Sequence, residues 1–220
     1  MTAPAYDILY LDDAMANLGG MLEYAALDCG LDLDTFFGYF LTSGVATQFE
    51  RGNPSYVAGL SGPELASKVL QRSGCDVASL PEPATREGFG PQYWAGWSLA
   101  EYQWARAERF CDMVADGLTA SKVVDLYLLH EADASKFAEV ADEILTKARR
   151  GRPTRLQTLR KNRGLTQVEL SVATDVSLRM IQLYEQRQND IAKAEAGTVI
   201  RLAHALGCAV EDVVEPPLYG

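Results

Sequence analysis

Positive charge is gathered in one stretch of this 220-residue sequence. Lys147, Arg149, Arg150, Arg152 and Arg155 crowd around Gly151 and Pro153, and Arg160, Lys161, Arg163, Arg179, Arg187 and Lys193 follow. Such side chains bind anions, and guanidinium groups suit the paired oxygens of phosphate and the paired acceptors of a guanine edge. Residues 1–148 carry nine basic against 22 acidic side chains, a balance of −13, and residues 149–220 carry eleven against eight, +3, which together give the net −10. A polyanion needs cations only where it makes contact. The acidic first two thirds are unsuited to such a partner, whereas the last third is suited to it.

Other chemistry is poorly represented. Cys29, Cys75, Cys111 and Cys208 are scattered without a C-x-x-C pair, which argues against a zinc knuckle or a disulfide framework and for free thiols filling core space. Cys111 with His130, or His130 with Glu131 and Asp133, has no diagnostic spacing and reads as surface; no catalytic residue, metal or cofactor is expected. The three tryptophans, Trp94, Trp97 and Trp104, lie near one helical face of YWAGWSLAEYQW, flanked by Tyr93 and Tyr102. A tryptophan cluster can form a ligand cage, but large aromatics mostly pack, so this one is expected to centre the N-terminal core. No apolar run is long enough to span a membrane, and the start MTAPAYDILYLDD lacks a signal peptide's basic flank, so a cytoplasmic protein without a membrane partner is expected.

The elements that position these residues are helices, because apolar residues recur three and four apart and strand-like alternation is scarce. Asp13 to Cys29 presents Met15, Leu18, Leu22, Ala25 and Ala26 on one side and stops at Gly30. Leu33 to Leu41 is a second, aromatic-rich helix; the stretch from Gly52 to Pro63 holds too much punctuation for one. Ser61 and Glu64 form a capping-box pattern ahead of Glu64 to Arg72. Gly74 to Pro91 reads as a surface loop, a long helix starts at Gln92, and Ala120 to His130 and Ser135 to Ala148 complete an all-α unit. The basic run Lys147 to Arg155 then marks a boundary, giving domains of residues 1–148 and 149–220. Its arginines read equally as a helix end plus linker, where cations complement the dipole, or as a basic arm (Arg149, Arg150, Arg152, Arg155) along phosphates or in the minor groove.

In the last third the spacing becomes specific. Leu156 and Leu159 belong to a short helix ended by Gly164. Thr166 with Glu169 is a capping box for a second; Thr174 and Asp175 turn the chain, Val176 is expected to be buried, and Ser177 caps a third, packed by Ile181 and Tyr184. This text, Gly164-Leu165-Thr166-Gln167, Glu169-Leu170-Ser171, Asp175-Val176-Ser177, Ile181 and Glu185, followed by TVIRLAHALG and Val210 to Val214, resembles the phage-repressor and Cro (XRE) family of helix-turn-helix domains over some sixty residues. The resemblance implies a five-helix, lambda-repressor-like DNA-binding domain behind the helical N-terminal one. It departs from the family at Asp175, where Gly is usual, at Ser171, where Ala is customary, and in the longer QRQNDIAKAEA.

What the resemblance implies residue by residue is a third helix whose first turns enter the major groove. Leu178, Arg179, Gln182 and Leu183 then face base edges, with Arg179 suited to guanine and Leu178 to a thymine methyl; packing is the equal alternative for Leu183. Gln167, Ser177, Lys161, Arg163, Arg187 and Lys193 are expected at phosphates, with Gln188 and Asn189 in the same loop, and Lys161 and Arg163 also read as a solvated face. Arg160 and Glu185 match a structural salt bridge beneath the recognition helix. The expectation is a DNA-binding transcriptional regulator, most simply a homodimeric repressor of double-stranded operator DNA. Two further roles for residues 1–148 stay open: an antitoxin that holds a basic toxin partner on its acidic surface, as in regulators with a similar arrangement, and a small-ligand sensor.

Overall fold

The computed structural model describes residues 3–132 and 134–215; Asp133, which the sequence grouped with His130 and Glu131, lies outside them. All regular structure among these residues is helical. The chain divides into two compact units, Met1–Leu145 and Thr146–Gly220.

In the first unit, α1 (Leu11–Glu23) continues as a π-helical turn, Tyr24–Asp28, and ends at Gly30, whose φ of 65° lies in the left-handed region. Helices α2 (Leu33–Thr42), α3 (Val45–Glu50), α4 (Pro54–Val57) and α5 (Gly62–Arg72) follow. The stretch read as too broken for a helix contains α4 because its punctuation starts a helical turn: the Asn53 side chain accepts from the Ser55 amide, and Pro54 holds the first position, where its missing N–H costs nothing. The Ser61–Glu64 capping box closes as expected, at 2.8 Å from the Ser61 amide to the Glu64 carboxylate.

Residues 73–90 are irregular, yet they are pinned. Arg86 makes a two-pronged ion pair with Asp28 at 2.9 Å, and the Tyr24 hydroxyl donates to the Pro81 carbonyl at 2.6 Å. Then come α6 (Pro91–Arg106), α7 (Phe110–Ala115), α8 (Ala120–Asp125), a 3-10 turn at Tyr127–Glu131, and α9 (Ala134–Arg150), of which residues 134–145 belong to this unit. Helices α1 and α6 cross backbone to backbone, since a methyl on Gly96 would run into the Leu18 carbonyl.

The core of this unit departs from expectation. Its centre is a cluster of phenylalanines, Phe37, Phe40, Phe49 and Phe110, with neighbouring ring centroids 5.3 to 6.2 Å apart, and Phe36 is buried as well. All three tryptophans stay half-buried beside it. Phenylalanine has no polar atom to satisfy, so it can be buried completely at lower cost than tryptophan, whose N–H needs a partner; Trp104 finds one in the Tyr6 carbonyl at 2.8 Å. The cysteines also depart: Cys111 is exposed and the other three are half-buried.

The second unit holds α10 (Arg155–Asn162), α11 (Gln167–Thr174), α12 (Leu178–Glu185), a 3-10 turn at Ile191–Lys193, α13 (Ala196–Leu206) and α14 (Val210–Val213). Leu156, Leu170, Val176, Ile181, Tyr184, Ile191, Leu202, Leu206 and Val213 form its core. Among the described residues no helix is long and apolar enough to cross a membrane.

Candidate nucleic-acid interface

The site is built on the turn between α11 and α12. Thr166 caps α11 by accepting from the Glu169 amide, and the Glu169 carboxylate returns to the Thr166 amide at 2.7 Å. At the other end Asp175 adopts φ 53°, the left-handed conformation that the family's usual glycine takes more cheaply. Side chains hold the turn from both flanks: the Ser171 hydroxyl donates to the Val176 carbonyl at 2.7 Å, and the Arg201 guanidinium to the Thr174 carbonyl at 2.9 Å. The serine that replaces the customary alanine is therefore a brace, and Arg201 is one that the sequence reading missed.

Behind the turn lies a buried ion pair. Arg160 grips Glu185 with two hydrogen bonds of 2.6 and 2.9 Å, donates a third to the Leu165 carbonyl at 2.7 Å, and Gln167 adds its amide N–H to the Glu185 carboxylate at 2.8 Å. The Glu185 side chain is only 1% exposed, so its charge is tolerable because several donors meet it. The same carboxylate raises the Arg160 pKa further above its ordinary value, chiefly through the direct hydrogen bond. Gln167, expected at a phosphate, thus spends one amide hydrogen inside this network.

With Ile181, Tyr184 and Glu185 turned inward, Arg179 and Leu183 of the residues expected at base edges lie on the opposite face of α12, and Leu178 and Gln182 lie on its flank. Leu178 and Gln182, like Arg179 and Leu183, are four apart and therefore share a face. Leu178, Gln182 and Leu183 are half-buried, whereas Arg179 is exposed and makes no hydrogen bond or ion pair among the described residues. Ser177 caps α12 by accepting from the Met180 amide at 3.3 Å and stays exposed.

The other cations separate into two groups. Arg163 donates to the Leu206 carbonyl at 2.5 Å and so caps the end of α13. Arg155 reaches the Val214 carbonyl at 2.9 Å. Arg187 binds the Glu215 carboxylate at 3.0 and 3.2 Å and the Arg152 carbonyl at 2.7 Å. Of these guanidiniums, Arg155 and Arg187, expected in a basic arm and at a phosphate, tie the domain's two ends together, and Arg163, also expected at a phosphate, is held at the end of α13. Glu215, which also accepts from the Arg155 amide at 2.6 Å, is the centre of that clasp, and nothing in its sequence context singled it out. Arg149 and Arg150 are the last two residues of α9, Arg149 buried and Arg150 exposed, so they belong to a helix end rather than to a free arm. Lys161 is exposed, and Lys193 is exposed beside Asp190 at 3.5 Å.

An outward-facing helix held by a clamped turn on a five-helix core is the geometry that presents side chains to a major groove. The helix-turn-helix family model matches residues 156–213. This segment is an XRE-type helix-turn-helix domain. It identifies the chain as a DNA-binding transcriptional regulator, with an all-α fold throughout the described residues. No curated protein and no solved structure matches the chain.

Proposed function

We propose that this helix-turn-helix regulator is a sequence-specific repressor that binds double-stranded DNA as a homodimer and reads base edges with Leu178, Arg179, Gln182 and Leu183. The observation that carries the reading is Arg179. It stands exposed in the first turn of α12 without an internal partner among the described residues, while Arg155, Arg163 and Arg187 are occupied within their own domain. Lys161, Lys193, Arg150, Ser177 and the second amide hydrogen of Gln167 are the groups left to meet phosphates.

A domain this small buries limited surface on DNA, and two copies on half-sites about one helical turn apart, roughly 34 Å, overcome that limit. The apolar side chains Val168 and Val172 on α11 and Ile200 on α13, 56%, 81% and 56% exposed, are the ones a second copy would cover. Selection of binding sites from random DNA with the full chain, followed by gel shift, tests the reading. A two-half-site operator is expected, with Arg179→Ala weakening it by about 1–3 kcal/mol and relaxing one base preference. An unchanged preference would place the reader elsewhere.

The charge of residues 1–148 favours a second reading for that region, in which its acidic surface holds a basic toxin and the chain is an antitoxin controlling their shared operon. In that case an adjacent gene expressed alone arrests growth and co-expression with this chain restores it; normal growth in the first arm removes the reading.

A further inference from the structure

Several aromatic residues outside the phenylalanine core line a cleft of about 610 Å³ in the first unit. Tyr93, Trp94, Trp97 and Glu101 contribute from α6, Tyr127 and His130 from the 3-10 turn, Phe137 from α9, and Phe89 from the pinned segment before α6. The walls are mutually ordered. Trp94 meets Tyr127 and Phe137 edge to face at 5.8 and 5.5 Å, and His130 stacks on Tyr127 at 4.1 Å. At the lip Phe89 is 69% exposed, stacked on Tyr93 at 4.2 Å, with its carbonyl held by the Tyr127 hydroxyl at 3.1 Å. An exposed phenylalanine fixed in this way, beside two tryptophans kept from the core, is costly for folding alone.

We propose that this cleft is a binding site for a small organic cation, an alkylated ammonium with an apolar body. Three observations support that class. The volume falls within the range of roughly 300–1,000 Å³ that small ligands fill. Six phenylalanine, tyrosine and tryptophan side chains line it, and aromatic faces attract cations, tryptophan most strongly. Glu101 is the one carboxylate among its lining residues, and no lysine or arginine is among them, a composition that suits a cation better than an anion. The proposal is independent of how α12 reads DNA.

Two of the chain's three tryptophans line the site, so intrinsic fluorescence of the full chain reports its occupancy. The probes are benzyltrimethylammonium, and choline against its uncharged isostere 3,3-dimethylbutan-1-ol. Both cations are expected to give saturable changes, with the isostere at least about tenfold weaker than choline. Glu101→Gln is expected to weaken the cations about tenfold and to leave the isostere unchanged, and Trp97→Leu to abolish the response with helicity retained by circular dichroism. Trp104→Phe keeps the response, because that indole is tied to the Tyr6 carbonyl outside the cleft. Equal binding of choline and its isostere, undiminished affinity in Glu101→Gln, or no saturation up to about 10 mM overturns the proposal. If Trp97→Leu does not fold, the isostere comparison and Glu101→Gln decide.

Discussion

The residue that most constrains the DNA-binding domain is Glu185. A carboxylate at the end of α12 and 1% exposed is stable because Arg160 and Gln167 meet it, and Arg160 is itself held in place by the Leu165 carbonyl. Removing one member strands a buried charge, whereas replacing both by apolar groups of similar volume does not. Arg160→Met and Glu185→Leu are therefore each expected to destabilise the domain by about 3–5 kcal/mol, and the double variant by clearly less. Denaturant titration of the four proteins checks this. Equal or additive losses would mean that the pair contributes as two independent contacts. This pair was legible in sequence through the family resemblance. Arg155, Arg163 and Arg187 were not, because a guanidinium's chemistry is the same whether it meets a phosphate or an internal carbonyl, and only the fold brings the carbonyl near.

At the scale of elements, the α11–α12 turn sets the angle of the reading helix. Its φ of 53° at Asp175 is a strained choice for a residue with a Cβ, and the Ser171 and Arg201 braces offset it. Asp175→Gly relieves the strain but frees the unfolded chain, so a net stabilisation of about 0.5–1 kcal/mol is expected, seen as a raised thermal midpoint with operator affinity unchanged. A destabilised variant would show that the Asp175 side chain does more than occupy the turn. The helices of this domain were legible because capping boxes, N-caps and apolar spacing act over three or four residues. In the first unit the same local reasoning found α1, α2, α5, α6 and α9, and found α8 with its 3-10 turn as one helix from Ala120 to His130, but passed over α3, α4 and α7. These run only four to six residues, too short for periodicity to emerge, and α4 is built from the asparagine and proline that usually signal interruption.

On the scale of the whole molecule, stability is expected to depend on pH through Glu50. Glu50 accepts the Phe110 amide at 2.6 Å beside the phenylalanine core, and burial there pushes its pKa up from 4.5 to about 7, against the opposing pull of that hydrogen bond and of Arg109. The folded chain therefore keeps a proton that the unfolded chain has released between about pH 4.5 and 7. Stability falls as pH rises through that window, and the loss is complete above it. A decrease of about 2 kcal/mol between pH 5 and pH 8 is expected in the first unit. Glu50→Gln, which keeps the acceptor and removes the charge, should flatten the profile; an unchanged slope would assign it to another group.

By itself the sequence determined that the chain is helical, that its charge is divided between an acidic front and a basic back, and that some sixty residues of the last third hold a helix-turn-helix with a capped turn. Each of those properties is carried by neighbours a few positions apart or by simple summation. The tertiary structure decided which cations remain available and which aromatics are core. Arg187 and the Arg155 amide meet Glu215 across 28 and 60 residues, and Trp94 meets Tyr127 and Phe137 only after α6, the 3-10 turn and α9 have packed. Such pairings are set by how helices stack, and a spacing rule confined to one helix contains no term for them.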